Sequence, residues 1–162
     1  MAEALVRRTV KWGNAMLDLL EYYRKAGQLD MAIKAGEQII LEFPYEHAVY
    51  EVTINLCIDA KQYLKGIFYA RKAYALKKTP EMAIRLSILH LKLDEPEKAI
   101  PYMDYLIMSG GSMDIRSVKD ISQKIIAAKK RLATDENNRE IKNEIYHYYM
   151  TIQNIEAAEK YK

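Results

Sequence analysis

A short segment recurs three times in this chain at a nearly constant spacing. The copies occupy residues 27–33, 61–67 and 94–100. Each copy places a small residue followed by Ile just inside a predicted helix. The small residues Ala32 and Gly66 are 34 positions apart, and Gly66 and Ala99 are 33 positions apart. This period is typical of helix pairs that stack into an array, because each repeat buries its apolar face only against its neighbours.

Core-type residues at spacings of three and four precede each copy, which is the pattern of one buried helix face. These residues are Met16, Leu19, Leu20 and Tyr23, then Tyr50, Ile54 and Cys57, then Ala83, Leu86 and His90. The composition agrees, since the 162 residues include only six Gly, four Pro, five Val and five Thr. Few helix breakers and few Val or Thr favour helix over sheet. The sequence therefore predicts an all-α protein.

The repeat resembles the tetratricopeptide repeat (TPR), whose helix-turn-helix units follow a W-x2-L-G-x2-Y, then A-x3-F, then P pattern. The first repeat, about residues 13–46, matches best. Tyr23 takes the place of the aromatic residue of the first helix, and Gly27 that of the turn. Ala32 corresponds to the small residue of the second helix, and Pro44 to the terminating proline.

This resemblance implies a single domain over residues 1–162, built as a right-handed α-solenoid of TPR-like helix-turn-helix repeats. Its parts would be repeats at about 13–46, 47–80 and 81–111, followed by a capping helical hairpin at 112–162. Gly36 departs from the pattern, because the family has an aromatic residue there.

The period ends after Gly111, and two longer amphipathic stretches follow. They predict helices over 114–132 and 136–160, joined by a turn and helix cap at 133–135. We expect these helices to form an antiparallel hairpin that covers the apolar end of the third repeat. At the other end, the first helix is expected to run over 3–26. Its apolar side would be extended by Leu5, Val6, Val10 and Trp12.

The charge balance argues against a nucleic-acid partner, since 25 Lys and Arg against 22 Asp and Glu leave a net charge of only +3. The same small charge gives no argument for an acidic membrane surface, and the sequence contains no apolar run long enough for membrane insertion. The single cysteine, Cys57, excludes an intrachain disulfide and a cysteine-based zinc site. We expect a cytoplasmic protein or a soluble domain of a longer chain.

The sequence lacks the motifs of known catalytic sites, such as a Gly-rich phosphate loop or an H-E-x-x-H helix. His90 is expected to pack in the core, and Cys57 to be a buried small apolar residue. Glu144 and His147 form a single Glu-x-x-His step, whereas di-iron bundles use two such steps and two further Glu residues. We therefore expect no enzymatic activity, no metal and no cofactor.

The expected function is a non-catalytic interaction module that binds a partner protein or peptide segment in the concave groove of the repeats. The groove would be lined by residues of the first helices that the core does not use. They are Asn14, Leu17, Glu21, Arg24, Glu51, Asn55, Ile58, Asp59, Ile84, Arg85 and Ile88. The C-terminal hairpin could instead fill this groove. The alternative function is a structural or assembly appendage of a larger protein that oligomerises through its C-terminal helices.

Overall fold

A computed structural model describes the backbone of residues 2–162 and the side chains of residues 13–162. Of the chain, 80% is helical, and the described residues contain no strand. The helices are α1 (Ala2–Lys25), α2 (Leu29–Glu42), α3 (His47–Asp59), α4 (Tyr63–Leu76), α5 (Pro80–Lys92), α6 (Pro96–Met108), α7 (Met113–Leu132), α8 (Arg139–Thr151) and α9 (Ile155–Ala158). A final 3₁₀ turn covers Glu159–Tyr161. The all-α prediction with helices in successive pairs is confirmed.

The apolar extension predicted at the N-terminus lies outside the residues whose side chains are described. It comprises Leu5, Val6, Val10 and Trp12.

The same turn joins the two helices of each of the first three pairs. In it, one residue adopts a positive φ of 71° at Gly27, 57° at Lys61 and 64° at Asp94. The following backbone N–H then donates to the carbonyl oxygen five residues earlier, over 2.9 Å from Gln28 to Tyr23. The other two turns repeat this bond over 2.8 and 2.9 Å. This hydrogen bond satisfies a carbonyl that the helix end would otherwise leave unpaired.

The chain divides into two compact units, Met1–Lys77 and Lys78–Lys162, which we call the N-terminal unit and the C-terminal unit. In the N-terminal unit, α1 packs on α2, α2 on α3, and α3 on α4. The small residues Ala32 and Gly66 of the repeated segment are buried there. A small side chain at such a position lets two helices approach closely.

Gly36 shows this close approach most directly. A Cβ atom built on Gly36 would lie 2.3 Å from Oγ1 of Thr53 on α3. Thr53 is buried, and its hydroxyl has no hydrogen-bond partner among the described residues. The departure of Gly36 from the TPR pattern therefore has a physical reason, because α2 meets α3 at a position with no room for a side chain.

In the C-terminal unit, α5 packs on α6, α6 on α7, and α7 on α8. Leu91, Ala99 and Met103 form one buried cluster, against which Ile115 and Val118 of α7 pack. A second buried cluster joins α7 to α8 and α9. It contains Ile125, Ala128, Ile141, Ile145, Tyr149, Ala157 and Ala158.

The continuous helix predicted over 136–160 is wrong. Asn138, rather than the residues at 133–135, caps the N-terminus of α8, since its Oδ1 accepts the backbone N–H groups of Glu140 and Ile141 over 3.1 Å each. At the other end α8 stops at Thr151, and Gln153 adopts a φ of 57°.

The turn at Gln153 repeats the hydrogen bond of the three earlier turns. The N–H of Asn154 donates to the carbonyl of Tyr149 over 2.9 Å. The Asn154 side chain then donates to the carbonyl of Leu91 on α5 over 2.6 Å. The 33–34-residue spacing ends after Gly111, but the turn itself occurs a fourth time.

The turn between α5 and α6 is held by the C-terminal helices. Its central residue, Asp94, accepts hydrogen bonds from the hydroxyls of Tyr149 and Tyr161. The ammonium group of Lys129 lies 2.9 Å from the Asp94 carboxylate and also donates to the Asp94 carbonyl over 2.7 Å. We call Asp94, Lys129, Tyr149 and Tyr161 the Asp94 cluster.

Candidate functional site

Every predicted groove residue is at least partly exposed. A surface that contacts a partner must be exposed in this way. In the N-terminal unit, Arg24 of α1 reaches Asp59 of α3, with 2.8 Å between Nη2 and Oδ2. The same guanidinium lies 3.7 Å from the carboxylate of Glu21. The structure therefore brings three of the predicted residues together where α1 and α3 end.

Further along α3, the predicted residues form a half-buried row. Glu51, Asn55 and Ile58 are each partly exposed and lie at spacings of three and four on one side of the helix. Glu51 lies 3.9 Å from Nδ1 of His47, one turn earlier. Asn14 and Leu17 of α1 are exposed and half-buried, respectively. The N-terminal unit thus presents a mixed polar and apolar surface on its first helices.

The C-terminal unit contains an apolar pocket of about 170 Å³ between α5, α6 and α7. Two predicted groove residues line it, Ile84 with 41% of its surface exposed and Ile88 with 40% exposed. Arg85 lies beside them, half-buried, and its guanidinium donates to the carbonyl of Glu81 over 3.1 Å. The remaining lining residues are Ser87, Leu91, Met103, Leu106, Asp114, Ile115 and Val118.

Helix α7 forms one wall of this pocket, through Ile115 and Val118, and leaves Ile84 and Ile88 partly exposed. Sequence reasoning assigned α7 only to the cap and therefore missed its residues in the pocket. The apolar stripe of 114–132 could have indicated this role. It begins at Val118, one turn before the residues of α7 that pack against α8.

The one charged side chain among the pocket's lining residues is Asp114, which is exposed in the first turn of α7. The hydroxyl of Ser87 donates to the carbonyl of Ala83 over 2.9 Å, so it is already satisfied within α5. The pocket can therefore take an apolar side chain, with one carboxylate at its edge to pair with a cation.

The potentially reactive groups are packed into the core, as predicted. Cys57 is fully buried, and this burial raises the pKa of its thiol to about 11, which disfavours the reactive thiolate. His90 is buried and stacks on the ring of Tyr102 at 6.0 Å, and its Nδ1 lies 2.9 Å from the Glu95 carboxylate.

Glu144 and His147 are engaged with different neighbours. Glu144 accepts from the guanidinium of Arg131 and from the hydroxyl of Tyr148, each over 3.0 Å, whereas His147 packs edge-on against Tyr146. Within the described side chains, no group of three or more His, Cys, Asp or Glu residues is placed to hold a metal ion. Helices of sufficient length and apolarity to cross a membrane are likewise absent from the described part.

No protein-family profile matches the sequence, and no curated protein sequence matches it significantly. Solved structures do match the fold. Two crystal structures of MamA cover 91% and 88% of this chain and 86% and 89% of their own, with TM-scores of 0.58 and 0.59 at 17% identity. A chain of the APC/C hetero-tetramer Cut9-Hcn1 matches 92% of this chain with 32% of its own length, at a TM-score of 0.51 and 17% identity. This chain is therefore a helical-repeat protein whose fold is similar to that of TPR-containing proteins such as MamA.

Proposed function

We propose that the chain is a non-catalytic protein-interaction module whose first helices bind an extended or helical segment of a partner protein. The observation that carries this proposal is the apolar pocket of the C-terminal unit, because Ile84 and Ile88 stay partly exposed beside it. A pocket that accepts one apolar anchor is a common centre of protein recognition. The single, buried Cys57 fits action in a reducing compartment such as the cytoplasm.

The polar residues of the first helices would position the bound segment. Asn55 can donate and accept at once, which suits the backbone of a bound chain. Arg85 offers a guanidinium for a carbonyl or carboxylate of the partner. Asp114 favours a partner with Lys or Arg close to its apolar anchor.

The alternative function, assembly through the C-terminal helices, has less support. The apolar stripes of α7 and α8 are used inside the C-terminal unit, where Ile125, Ile145 and Tyr149 are fully buried. Met150 and Ile155 are the large apolar residues of the described α8 and α9 that remain exposed. Light scattering tests this alternative, which requires a dimer or larger assembly that Met150→Glu with Ile155→Glu dissociates.

The proposed function is tested by capture of partners from a lysate of the source cells, quantified by mass spectrometry. The test variant is Ile84→Glu with Ile88→Glu, which places two carboxylates beside the pocket. The matched control is Met31→Glu with Leu41→Glu, which changes two exposed apolar residues of α2 in the same way. We expect the test variant to lose its specific partners and the control to retain them, with unchanged helical circular dichroism in both.

Retention of every partner by a folded Ile84→Glu, Ile88→Glu variant would exclude the pocket as the binding site. Loss of partners with Met150→Glu and Ile155→Glu instead would assign the interaction to the C-terminal helices.

A further inference from the structure

The outward face of α4 differs from that of α2 and α6 at equivalent positions. The shared turns fix the equivalence, since each second helix can be counted from its positive-φ residue. The third and seventh residues after that point are exposed in all three helices. They are Asp30 and Lys34 in α2, and Glu97 and Pro101 in α6. In α4 they are Leu64 and Phe68, of which 74% and 52% of the surface is exposed.

Cations share this face of α4. At about 100° per residue, Leu64, Phe68, Arg71, Lys72 and Ala75 fall within a stripe about 100° wide. All five are exposed, and we call them the α4 stripe. The ammonium of Lys72 lies 4.4 Å from the centre of the Phe68 ring, so it stays close to the apolar part of the stripe.

The sequence segment that contains the α4 stripe carries charge of one sign, although the net charge of the whole chain is only +3. Residues 60–80 contain no Asp or Glu. Their cations are Lys61, Lys65, Arg71, Lys72, Lys77 and Lys78. Lys65 is paired with Glu37 at 2.9 Å. Arg71 and Lys77 form no ion pair with any residue that the structure describes.

A second copy of this chain does not fit the α4 stripe, because a two-fold interface would place its cations opposite one another. The stripe lies on one exposed helix face, where Leu64 and Phe68 are both largely open to solvent, whereas the anchor residue of a tight protein complex fills an enclosed pocket. A lipid surface needs no such pocket. Exposed Leu and Phe beside unpaired cations are the features with which a helix lies in a membrane interface.

We propose that the α4 stripe docks on a membrane surface that carries anionic headgroups. Leu64 and Phe68 enter the boundary between headgroups and acyl chains, while Arg71, Lys72 and Lys77 pair with phosphate or carboxylate groups of the lipids. This inference is independent of the proposed function, because it uses α4 and none of the predicted groove residues.

Flotation of the full chain with vesicles tests the proposal. One vesicle is an equimolar mixture of phosphatidylcholine and phosphatidylserine, and the other is phosphatidylcholine alone. We expect the protein to float with the anionic vesicles only and to dissociate from them as salt is added.

Two variants test the apolar residues of the stripe and the cations of α4 and its C-cap in turn. Leu64→Asp with Phe68→Lys introduces the residues that α2 carries at the same positions, and Arg71→Glu with Lys77→Glu reverses the unpaired charges. Each should lower the partition coefficient on anionic vesicles about tenfold or more. If the first variant does not fold by circular dichroism, the second still tests the proposal, because its substitutions remove no described contact.

Matched controls lie in the C-terminal unit. Met108→Lys with Met113→Asp changes two exposed apolar residues, and Arg116→Glu with Lys130→Glu changes the net charge as much as the α4 charge variant. Both should bind anionic vesicles within about twofold of the original chain.

The proposal is overturned if the original chain floats with neither vesicle, or if the controls lose binding as strongly as the α4 variants. Binding to a soluble amphipathic helix of Glu and Leu, without flotation, would also overturn it and would identify α4 as a protein-docking surface.

Discussion

The two units use the same helix-connecting turn for different purposes. In the N-terminal unit, the turn residues Gly27 and Lys61 are exposed. In the C-terminal unit, the side chain of Asp94 is only 13% exposed and receives the bonds of the Asp94 cluster. One backbone geometry therefore leaves its positive-φ residue exposed in one unit and in the other anchors the C-terminal helices through Asp94.

An Asp at this position can both adopt the positive φ of the turn and accept the hydrogen bonds of the cluster. Asp tolerates a positive φ better than most residues other than Gly and Asn. Its carboxylate can also accept several hydrogen bonds at once. Glycine adopts the positive φ but accepts no side-chain hydrogen bond. Replacing Asp94 or Lys61 by Gly therefore separates the free-energy cost of the turn conformation from the stabilisation by the Asp94 cluster.

The largest expected effect follows from placing glycine in both turns. Asp94→Gly relaxes the turn but removes the acceptor of two tyrosine hydroxyls and the partner of Lys129. We expect a net loss of about 3 kcal/mol, since buried polar groups are left without partners. Lys61→Gly relaxes the same positive-φ position at an exposed residue and should change the stability by under about 1 kcal/mol. Urea unfolding of both variants measures the difference.

Equal effects of Asp94→Gly and Lys61→Gly would show that the Asp94 cluster contributes nothing beyond the turn. Asp94→Asn removes the charge and one of the two acceptor oxygens, so its stability should fall between that of the original chain and that of Asp94→Gly.

The next effect concerns close helix contacts. Gly36→Ala places a Cβ 2.3 Å from Thr53 Oγ1 and should cost about 1 to 3 kcal/mol. Thr53→Ala should restore most of this loss, because the clashing atom belongs to a side chain. Gly111→Ala in the C-terminal unit meets the backbone carbonyl of Leu106 at 2.6 Å, so no side-chain substitution at Leu106 should rescue it.

A thermodynamic cycle from urea midpoints of the single and double variants measures this coupling. Strict additivity of Gly36→Ala and Thr53→Ala would contradict the predicted contact between α2 and α3.

A smaller effect is expected at alkaline pH. Burial, and then the bond to Asp94, raise the pKa of Tyr161 well above its ordinary value of about 10. The protonated hydroxyl therefore stabilises the fold fully below about pH 10, and this contribution is lost as the pH rises through the folded-state pKa. Tyr161→Phe should flatten the loss of stability that begins as the pH rises above about 10.

Tyr69 is the matched residue of the N-terminal unit. Burial, and then the neighbouring Glu37, raise its pKa to about 12, and its hydroxyl donates to Glu37 over 3.2 Å. The bond from Tyr161 to Asp94 is shorter, at 2.6 Å, so we expect Tyr69→Phe to flatten the pH profile less than Tyr161→Phe. If Tyr69→Phe flattened the pH profile more than Tyr161→Phe, the stability of the C-terminal unit would not be the more sensitive to alkaline pH.

The smallest effect on stability, and the one most specific to function, concerns the polar groove residues. Asn55→Ala and Arg85→Ala truncate partly exposed side chains, one in each unit, and should each change stability by under about 0.5 kcal/mol. Both should weaken capture of a partner, measured by quantitative pull-down. If only Arg85→Ala weakens capture, the C-terminal unit carries the interaction.

The repeat architecture was predictable because its causes are local in sequence. The turn bonds join residues five positions apart, and the small residues Ala32, Gly66 and Ala99 recur at the repeat period of 33–34 residues. The burial of Cys57 and His90 followed from the same apolar face. The binding groove remains a prediction, since the sequence pattern identifies which residues leave the core but not what they contact.

The sequence alone determined that this chain is all helical and which helix faces are buried, because apolar periodicity and turn chemistry act over a few residues. Only the tertiary structure decided where α8 ends. The apolar pattern continues past Thr151, but Asn154 bonds to the carbonyl of Leu91, 63 residues earlier, and the helix breaks there. The role of Asp94 was decided in the same way, because its partners lie far away in the sequence and meet it only when the helices pack.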